Sequence, residues 1–298
     1  MELRRLRCFR AAADELSFRR AAALVGVGQP VVSRQVAALE DELGVALFER
    51  RSTGVRLTQA GRVFQTDASR IIDSVDRARE AVLSAAFGTS GKLRLAICED
   101  ATTPVFAAIL VAHREQHPAV DLELFELPST MQPTALRRGE IDAGLLLPPV
   151  EDAGLQIDEL WREDWLVAMP SKHRLAELDA VPIRELATEN FIATHPKFGP
   201  GCHAQSQALF DLAGIKPTVV ARAFRRSTVA VLVRSGAGIA LFPGSFAATI
   251  MDGVVTRPLT FAKLQMHVAV AYPAGDMEGV VAQFLRVSAA TAKGLKMR

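Results

Sequence analysis

SFRRAAALVGVGQPVVSRQVAALEDEL, residues 17–43, is the stretch from which the rest of this chain can be read. Ser17 stands where an N-cap belongs, its hydroxyl able to accept from an orphan amide of the first helical turn. The alanine-rich run behind it predicts a helix from Phe18 to about Val25. Gly26 and Gly28 bracket a turn in which positive φ is expected. Gln29 and Pro30 open a second helix, where proline is tolerated because first-turn amides have no intrahelical acceptor. Gly44 ends that helix.

The second helix sorts its residues by face. Val32, Val36, Leu39 and Leu43 recur at helical spacing and are expected to pack against the preceding helix. Gln29, Pro30, Ser33 and Arg34 share the opposite, N-terminal face. A helix that enters a DNA groove needs that face polar: arginine suits guanine or phosphate, glutamine suits adenine, and serine bonds to either. A solvated amphipathic helix in any helical domain has the same pattern, so the neighbouring segments must decide.

Upstream, Leu3, Leu6, Phe9, Ala13 and Leu16 predict a helix over 3–15 beneath the pair, with Cys8 on its apolar stripe as a core residue. Downstream, LFERRSTGVRL reads as two short strands around a Ser-Thr-Gly turn. Arg50, Arg51 and Arg56 cluster there with Ser52 and Thr53. Most exposed charge runs are merely solvated, but beside a recognition helix this hairpin reads as a wing that contacts phosphate or the minor groove. Thr58 then caps a long helix from Gln59 to about Phe87. Phe64, Ala68, Ile71, Val75, Ala78, Val82 and Ala85 alternate by four and three along it, a heptad seam that predicts a pairing surface. The GTSG run at 88–91 is expected to be a domain boundary.

These residues resemble a known family. LSF…AA, QPVVSRQVAALEDELGVALFER and RLTQAG, at these intervals, are similar to the N-terminal domain of LysR-type transcriptional regulators. Gly28 departs from the serine N-cap usual there, and glycine caps only modestly worse. The resemblance implies a linker helix that pairs subunits into a homodimer, a homotetramer built from such dimers, and a roughly palindromic double-stranded DNA operator. The DNA contacts expected are Gln29, Pro30, Ser33, Arg34, Arg50, Arg51, Ser52 and Thr53.

Composition agrees with these expectations. The 298 residues suffice for about two domains, and 49% are hydrophobic, so a core is readily buried. No stretch reaches the ~18–20 apolar residues of a membrane helix, and MELRRLRCF lacks the apolar core of a signal peptide, so a cytoplasmic protein without membrane contact is expected. Of the net charge of +2, residues 1–90 carry +3 and the remainder −1. Clustered arginines, rather than total charge, must supply phosphate contacts. Three widely spaced cysteines without a CxxC pair suit a reducing compartment.

Beyond residue 91 the pattern changes to strands alternating with helices. Strands are expected at 93–98, 120–126, 141–147, 165–169, 191–194, 218–223, 238–242 and 267–272, with helices at 103–116, 203–213, 228–235 and 277–292. This predicts α/β architecture with largely parallel sheets. The family resemblance implies two Rossmann-like lobes around a cleft, similar to periplasmic solute-binding proteins. The fold class expected is therefore α+β multidomain: a winged helix-turn-helix over 1–58, a linker helix over 59–88, and a two-lobed α/β effector domain over 91–298. Lobe I takes 91–161 and 267–298, and lobe II takes 162–266.

Ligands in open α/β sheets bind beyond strand carboxyl ends, near helix N-termini. The loops in that position nominate Glu99, Asp100, Thr102, Ser129, Thr130, Gly201, Cys202, His203, Arg225, Arg226 and Ser227 as effector contacts. Serine and threonine also cap helices for purely structural reasons. The Gly199-Pro200-Gly201 run resembles the branch that senses aromatic acids or their ring-cleavage products. Glu99 and Pro128 depart from the small hydroxyl residues that bind a carboxylate there. Arg225 and Arg226 could restore an anion site for an organic acid. Alternatively Glu99 and Asp100 pair with them, or recognise a ligand bearing an amine, and the residues leave this open. Cys202, at a helix N-terminus, is expected to have a lowered pKa. With no cysteine near it in sequence, disulfide sensing is not expected. Cys202, His203 and His195 are too scattered for a metal site, and no cofactor is expected. The competing class, a cytoplasmic small-molecule-binding protein or enzyme with an incidental helical N-terminus, lacks a nucleophile elbow, a P-loop or an HExxH motif.

Overall fold

The computed structural model describes every residue except 52–53, 88–90, 151, 250, 261–263, 276–278 and 296–298. It divides into two compact units, Met1–Leu83 and Ser84–Arg298.

The first unit opens with α1 (Leu3–Glu15), α2 (Phe18–Val25) and α3 (Gln29–Leu43). Ser17 caps α2, its hydroxyl accepting from the Arg20 amide at 3.3 Å. Of the two turn glycines only Gly26 is left-handed, at φ 72°, whereas Gly28 precedes α3 at φ −72°. A hydroxyl is dispensable there because the Gly28 carbonyl already accepts from Val31 and Val32. Val32, Val36 and Leu39 are fully buried with Phe9, Leu47 and Ile72. Leu43 corrects the expected stripe: it stays 37% exposed, in the final turn at the rim of the core. Leu16 is also exposed, and closes α1 in the left-handed conformation.

The hairpin β1 (Phe48–Arg51) and β2 (Gly54–Leu57) is docked by α3. Glu40 on α3 accepts the amides of Leu47 and Phe48, at 2.6 and 3.0 Å. Thr58 caps α4 (Gln59–Phe87) by accepting from the Gly61 amide at 2.9 Å, while donating to the Ala46 carbonyl at 2.7 Å. Gly61 is required: a Cβ there would stand 2.1 Å from the Leu47 carbonyl oxygen. The seam on α4 divides, contrary to the single pairing surface expected. Phe64 and Ala68, joined by Ile72, pack on the unit's own core, because α4 closes the open side of the helix trio. Ile71, Val75 and Val82 remain 40%, 41% and 68% exposed. The side chain of Ala85 lies outside the described residues.

The second unit begins with β3 (Gly91–Ile97), α5 (Pro104–Gln116), β4 (Val120–Glu126), α6 (Gln132–Arg137), β5 (Ala143–Leu146) and β6 (Leu155–Glu163). The chain then crosses into the second lobe with β7 (Trp165–Pro170), β8 (Asn190–Thr194), α7 (Pro200–Ala213), β9 (Thr218–Ala223), α8 (Arg226–Arg234), β10 (Ala240–Pro243) and β11 (Val254–Pro258). It returns as β12 (Met266–Pro273) and ends in α9 (Gly279–Leu295). Lobe I is a five-stranded sheet ordered β4-β3-β5-β12-β6, and lobe II holds the sheets β10-β7-β11 and β8-β9.

The sheets are mixed, not largely parallel. Pairing is parallel for β3 with β4 and β5 and for β8 with β9, where helices make the crossovers. β12 returns from the other lobe and lies antiparallel to β5 and β6, while the β10-β7-β11 sheet is antiparallel throughout. β6 and β11 were not expected from the sequence. Both are edge strands, and β6 carries the charges that keep edges from pairing further, which blurs its period. α6, at six residues, is too short to show helical periodicity. Among the described residues no helix is long and apolar enough to cross a membrane.

Candidate DNA-contact face and effector cavity

The first turns of α3 divide as amphipathic spacing requires. Val32 is buried, while Gln29, Pro30 and Arg34 are exposed and Ser33 is half-buried. Arg34 is held along the helix by donating from Nε to the Pro30 carbonyl at 3.3 Å. This presents an arginine, a glutamine and a hydroxyl from one helical face, the donor and acceptor set that reads base edges. On the hairpin Arg56 is exposed. Arg50 and Arg51 lie on β1, but their side chains fall outside the described residues, as do Ser52 and Thr53 entirely.

The second unit contains a cavity of about 210 Å³ between its lobes. It lies beyond the carboxyl ends of β3 and β4 on one side and of β8 and β9 on the other, where open α/β sheets place ligands. Glu99, Asp100, Ser129, Gly201, Cys202 and Arg225 line it together. Thr102, Thr130 and Ser227 are exposed and line none of it, and His203 is half-buried outside it. Sequence reasoning missed Cys98, Glu126, Phe198 and Phe224 as lining residues. Their signal was positional: each ends or directly follows a strand, or directly precedes a glycine- or arginine-bearing loop.

Arg226 does not line the cavity either. It is 8% exposed and turned onto the acidic loop of the opposite lobe. Its amide donates to Glu99 Oε1 at 2.9 Å, its guanidinium donates to the Glu99 carbonyl, and Nε lies 3.4 Å from Asp100 Oδ1. The guanidinium also sits over the Phe246 ring, 5.3 Å from its centroid. Of the arrangements left open by the sequence, pairing between these loops is therefore present for Arg226. Burial raises the Asp100 pKa, with Arg226 opposing the rise and Glu99 adding to it. Arg225 is exposed and has no ion pair among the described residues. Glu99 Oε2 is buried without a hydrogen-bond partner among the described residues.

The expectation for Cys202 is reversed. Although it stands in the first turn of α7, it is 7% exposed, and burial drives its thiol well above the ordinary range, with Asp100 adding to the rise. Desolvation outweighs the helix terminus because the thiolate would have no water to solvate it. Cys98 lines the same cavity, and burial pushes its thiol up to about 11. Among the described residues no group of three or more potential ligands could hold a metal ion.

Further contacts tie the lobes. Gly201 packs so closely that a Cβ would lie 2.1 Å from the Leu147 carbonyl oxygen. Gln205 on α7 donates to the carbonyls of Pro148 and His267, at 2.8 and 3.1 Å, and accepts from the His267 amide at 2.9 Å. At the first crossing, the buried Glu163 accepts from Trp161 Nε1 at 2.9 Å and from the Ser245 amide at 2.8 Å.

A winged helix-turn-helix joined by a long helix to a two-lobed α/β domain with an interlobe cavity defines a DNA-binding regulator with a ligand-sensing module. Residues 3–62 match the family described as "Bacterial regulatory helix-turn-helix protein, lysR family", and residues 87–293 match "LysR substrate binding domain". The chain is 34% identical to the transcriptional regulator TfdS of Cupriavidus pinatubonensis, over 97% of this chain and 98% of that protein. It is 29% identical to the regulator AlsR of Bacillus subtilis, over 97% and 95%. Full-length CbnR, solved in complex with its target DNA, superposes with a TM-score of 0.77 at 25% identity, covering 98% of this chain and all of that one. The chain belongs to the LysR family. It is a DNA-binding transcriptional regulator with an effector-binding domain.

Proposed function

We propose that this regulator responds to a small organic acid held in the interlobe cavity, with Arg225 as the anion partner. The observation that carries this reading is an exposed arginine, Arg225, without a carboxylate partner among the described residues, at a cavity also lined by Ser129 and by the first turn of α7. Gly199-Pro200-Gly201 and the Phe198 and Phe224 rings support an acid with an aromatic or unsaturated body. Gln29, Pro30, Ser33, Arg34, Arg50, Arg51, Ser52 and Thr53 contact a double-stranded operator in the cytoplasm. Glu99, Asp100, Gly201 and Cys202 shape the cavity, Arg226 holds the Glu99–Asp100 loop in place, and Thr102, Thr130, His203 and Ser227 stand close to lining residues in the sequence. The working division is 1–58 for DNA, 59–88 for pairing, and 91–298 for the effector.

The exposed part of the seam on α4 pairs two copies into a dimer, and dimers assemble into tetramers. The effector favours one relative position of the lobes and so shifts the population of DNA-binding geometries. Thermal unfolding of the full chain with benzoate or succinate tests the anion site. Ligand at 100 times its Kd stabilises by about 2.7 kcal/mol, and Arg225→Ala is expected to abolish that rise. An unchanged rise in Arg225→Ala would remove Arg225 from the site.

A further inference from the structure

The charges around the cavity narrow its ligand further, an inference that rests on the cavity being the effector site. Among the described residues, three carboxylates line it, Glu99, Asp100 and Glu126, against the single guanidinium of Arg225. Arg226 offsets Asp100 from within the wall and occupies only one oxygen of Glu99. The other, Oε2, is buried and has no partner among the described residues. A buried carboxylate oxygen without a donor carries an uncompensated desolvation cost, which a ligand donor would relieve. A simple mono- or dicarboxylate engages Arg225 but brings further negative charge toward Glu99 and Glu126. A simple amine engages Glu99 and leaves Arg225 unused. The Phe198 and Phe224 rings, 5.7 Å apart, also line the cavity and offer an apolar surface that suits a short apolar body. At about 210 Å³ the space lies below the ~300 Å³ at which drug-sized sites begin, so the occupant is compact.

We propose that the effector is a compact amino-acid-like zwitterion, its carboxylate on Arg225, its ammonium on the carboxylate of Glu99, and its apolar body against Phe198 and Phe224. The test uses the full chain and matched probes: phenylalanine, 3-phenylpropanoate and phenethylamine; leucine, 4-methylpentanoate and isopentylamine; 4-aminobutyrate, butyrate and butylamine. The expected result is that in at least one series the amino acid raises the unfolding midpoint at concentrations where its parent acid and amine do not. Glu99→Gln is then expected to weaken that ligand about tenfold or more, and Arg225→Gln to do the same. The carboxamide introduced by Glu99→Gln retains an oxygen to accept from the Arg226 amide, and the unliganded midpoint of each variant reads its folding directly. If an acid acts as strongly as its amino acid and ignores Glu99→Gln, the zwitterion proposal falls while the acid reading stands. An amine that matches its amino acid, or silence across all three series, overturns both.

Discussion

Arg225 and Arg226 are neighbours in sequence with opposite fates. Arg226 begins α8 and is buried across the cleft against Glu99 and Asp100, while Arg225 remains exposed at the cavity. Residue-scale chemistry also separates the thiols from what a helix terminus suggests. With Cys98 near 11 and Cys202 pushed higher, little thiolate exists at neutral pH. Iodoacetamide is expected to label both far more slowly in the native chain than after urea unfolding, with peptide mass as the readout. Labelling at the rate of free cysteine would contradict the burial described. On α3, Ser33→Ala or Arg34→Ala is expected to cost about 1–3 kcal/mol at a cognate operator. Salt titrations of binding separate the two, since loss of a phosphate contact also reduces the salt slope. Wild-type affinity in both variants would move the reading face elsewhere.

α4 is the element whose two halves do different things. Ile72 is buried in the first unit's core, three residues before the exposed Val75. Ile72→Ala is therefore expected to cost about 2–5 kcal/mol in urea unfolding, through the cavity it leaves. Val75→Glu leaves that core intact and places a charge on the face proposed to pair two copies. Its dimer dissociation constant is expected to rise about tenfold or more, because an unpaired charge in an apolar seam is uncompensated. Sedimentation over a concentration series reads the change, and an unaltered assembly in Val75→Glu would exclude this face as the pairing surface. Heptad spacing marked the whole helix as one seam. Spacing cannot distinguish a face covered by the chain's own core from one covered by a second copy, since both need the same apolar repeat.

At the scale of the whole molecule, the return strand β12 closes lobe I after the chain has built lobe II. Tyr272 on β12 is the only tyrosine, and its hydroxyl donates to Asp158 on the edge strand β6. Burial, with the Asp158 carboxylate adding to it, raises the phenol to about 12. An unfolded tyrosine ionises near ~10, so between these values the folded chain holds a proton that the unfolded chain releases. The Tyr272 contribution to stability is thus complete below about pH 10 and is lost as pH rises toward 12. Urea midpoints across that range are expected to fall more steeply in the native chain than in Tyr272→Phe. Equal slopes would mean that the phenol titrates alike in both states.

Local rules carried the first unit almost entirely. Ser17, Gly26, Pro30, Gly44 and Thr58 mark helix ends by backbone chemistry that acts within a few residues. The face of α3 follows from a period of 3.6, and strand–helix alternation singled out the loops beyond β3, β4, β8 and β9, which line one cavity. Tertiary structure alone decided which loop residues meet. Glu99 and Arg226 are 127 positions apart, and no local pattern encodes their contact. The edge strands, the antiparallel return of β12 and the burial that protonates Cys202 belong to the same category. Propensity, capping and periodicity are short-range and leave marks in the sequence. Desolvation and ion pairing depend on what the fold brings near, and they exist only once the lobes have closed on each other.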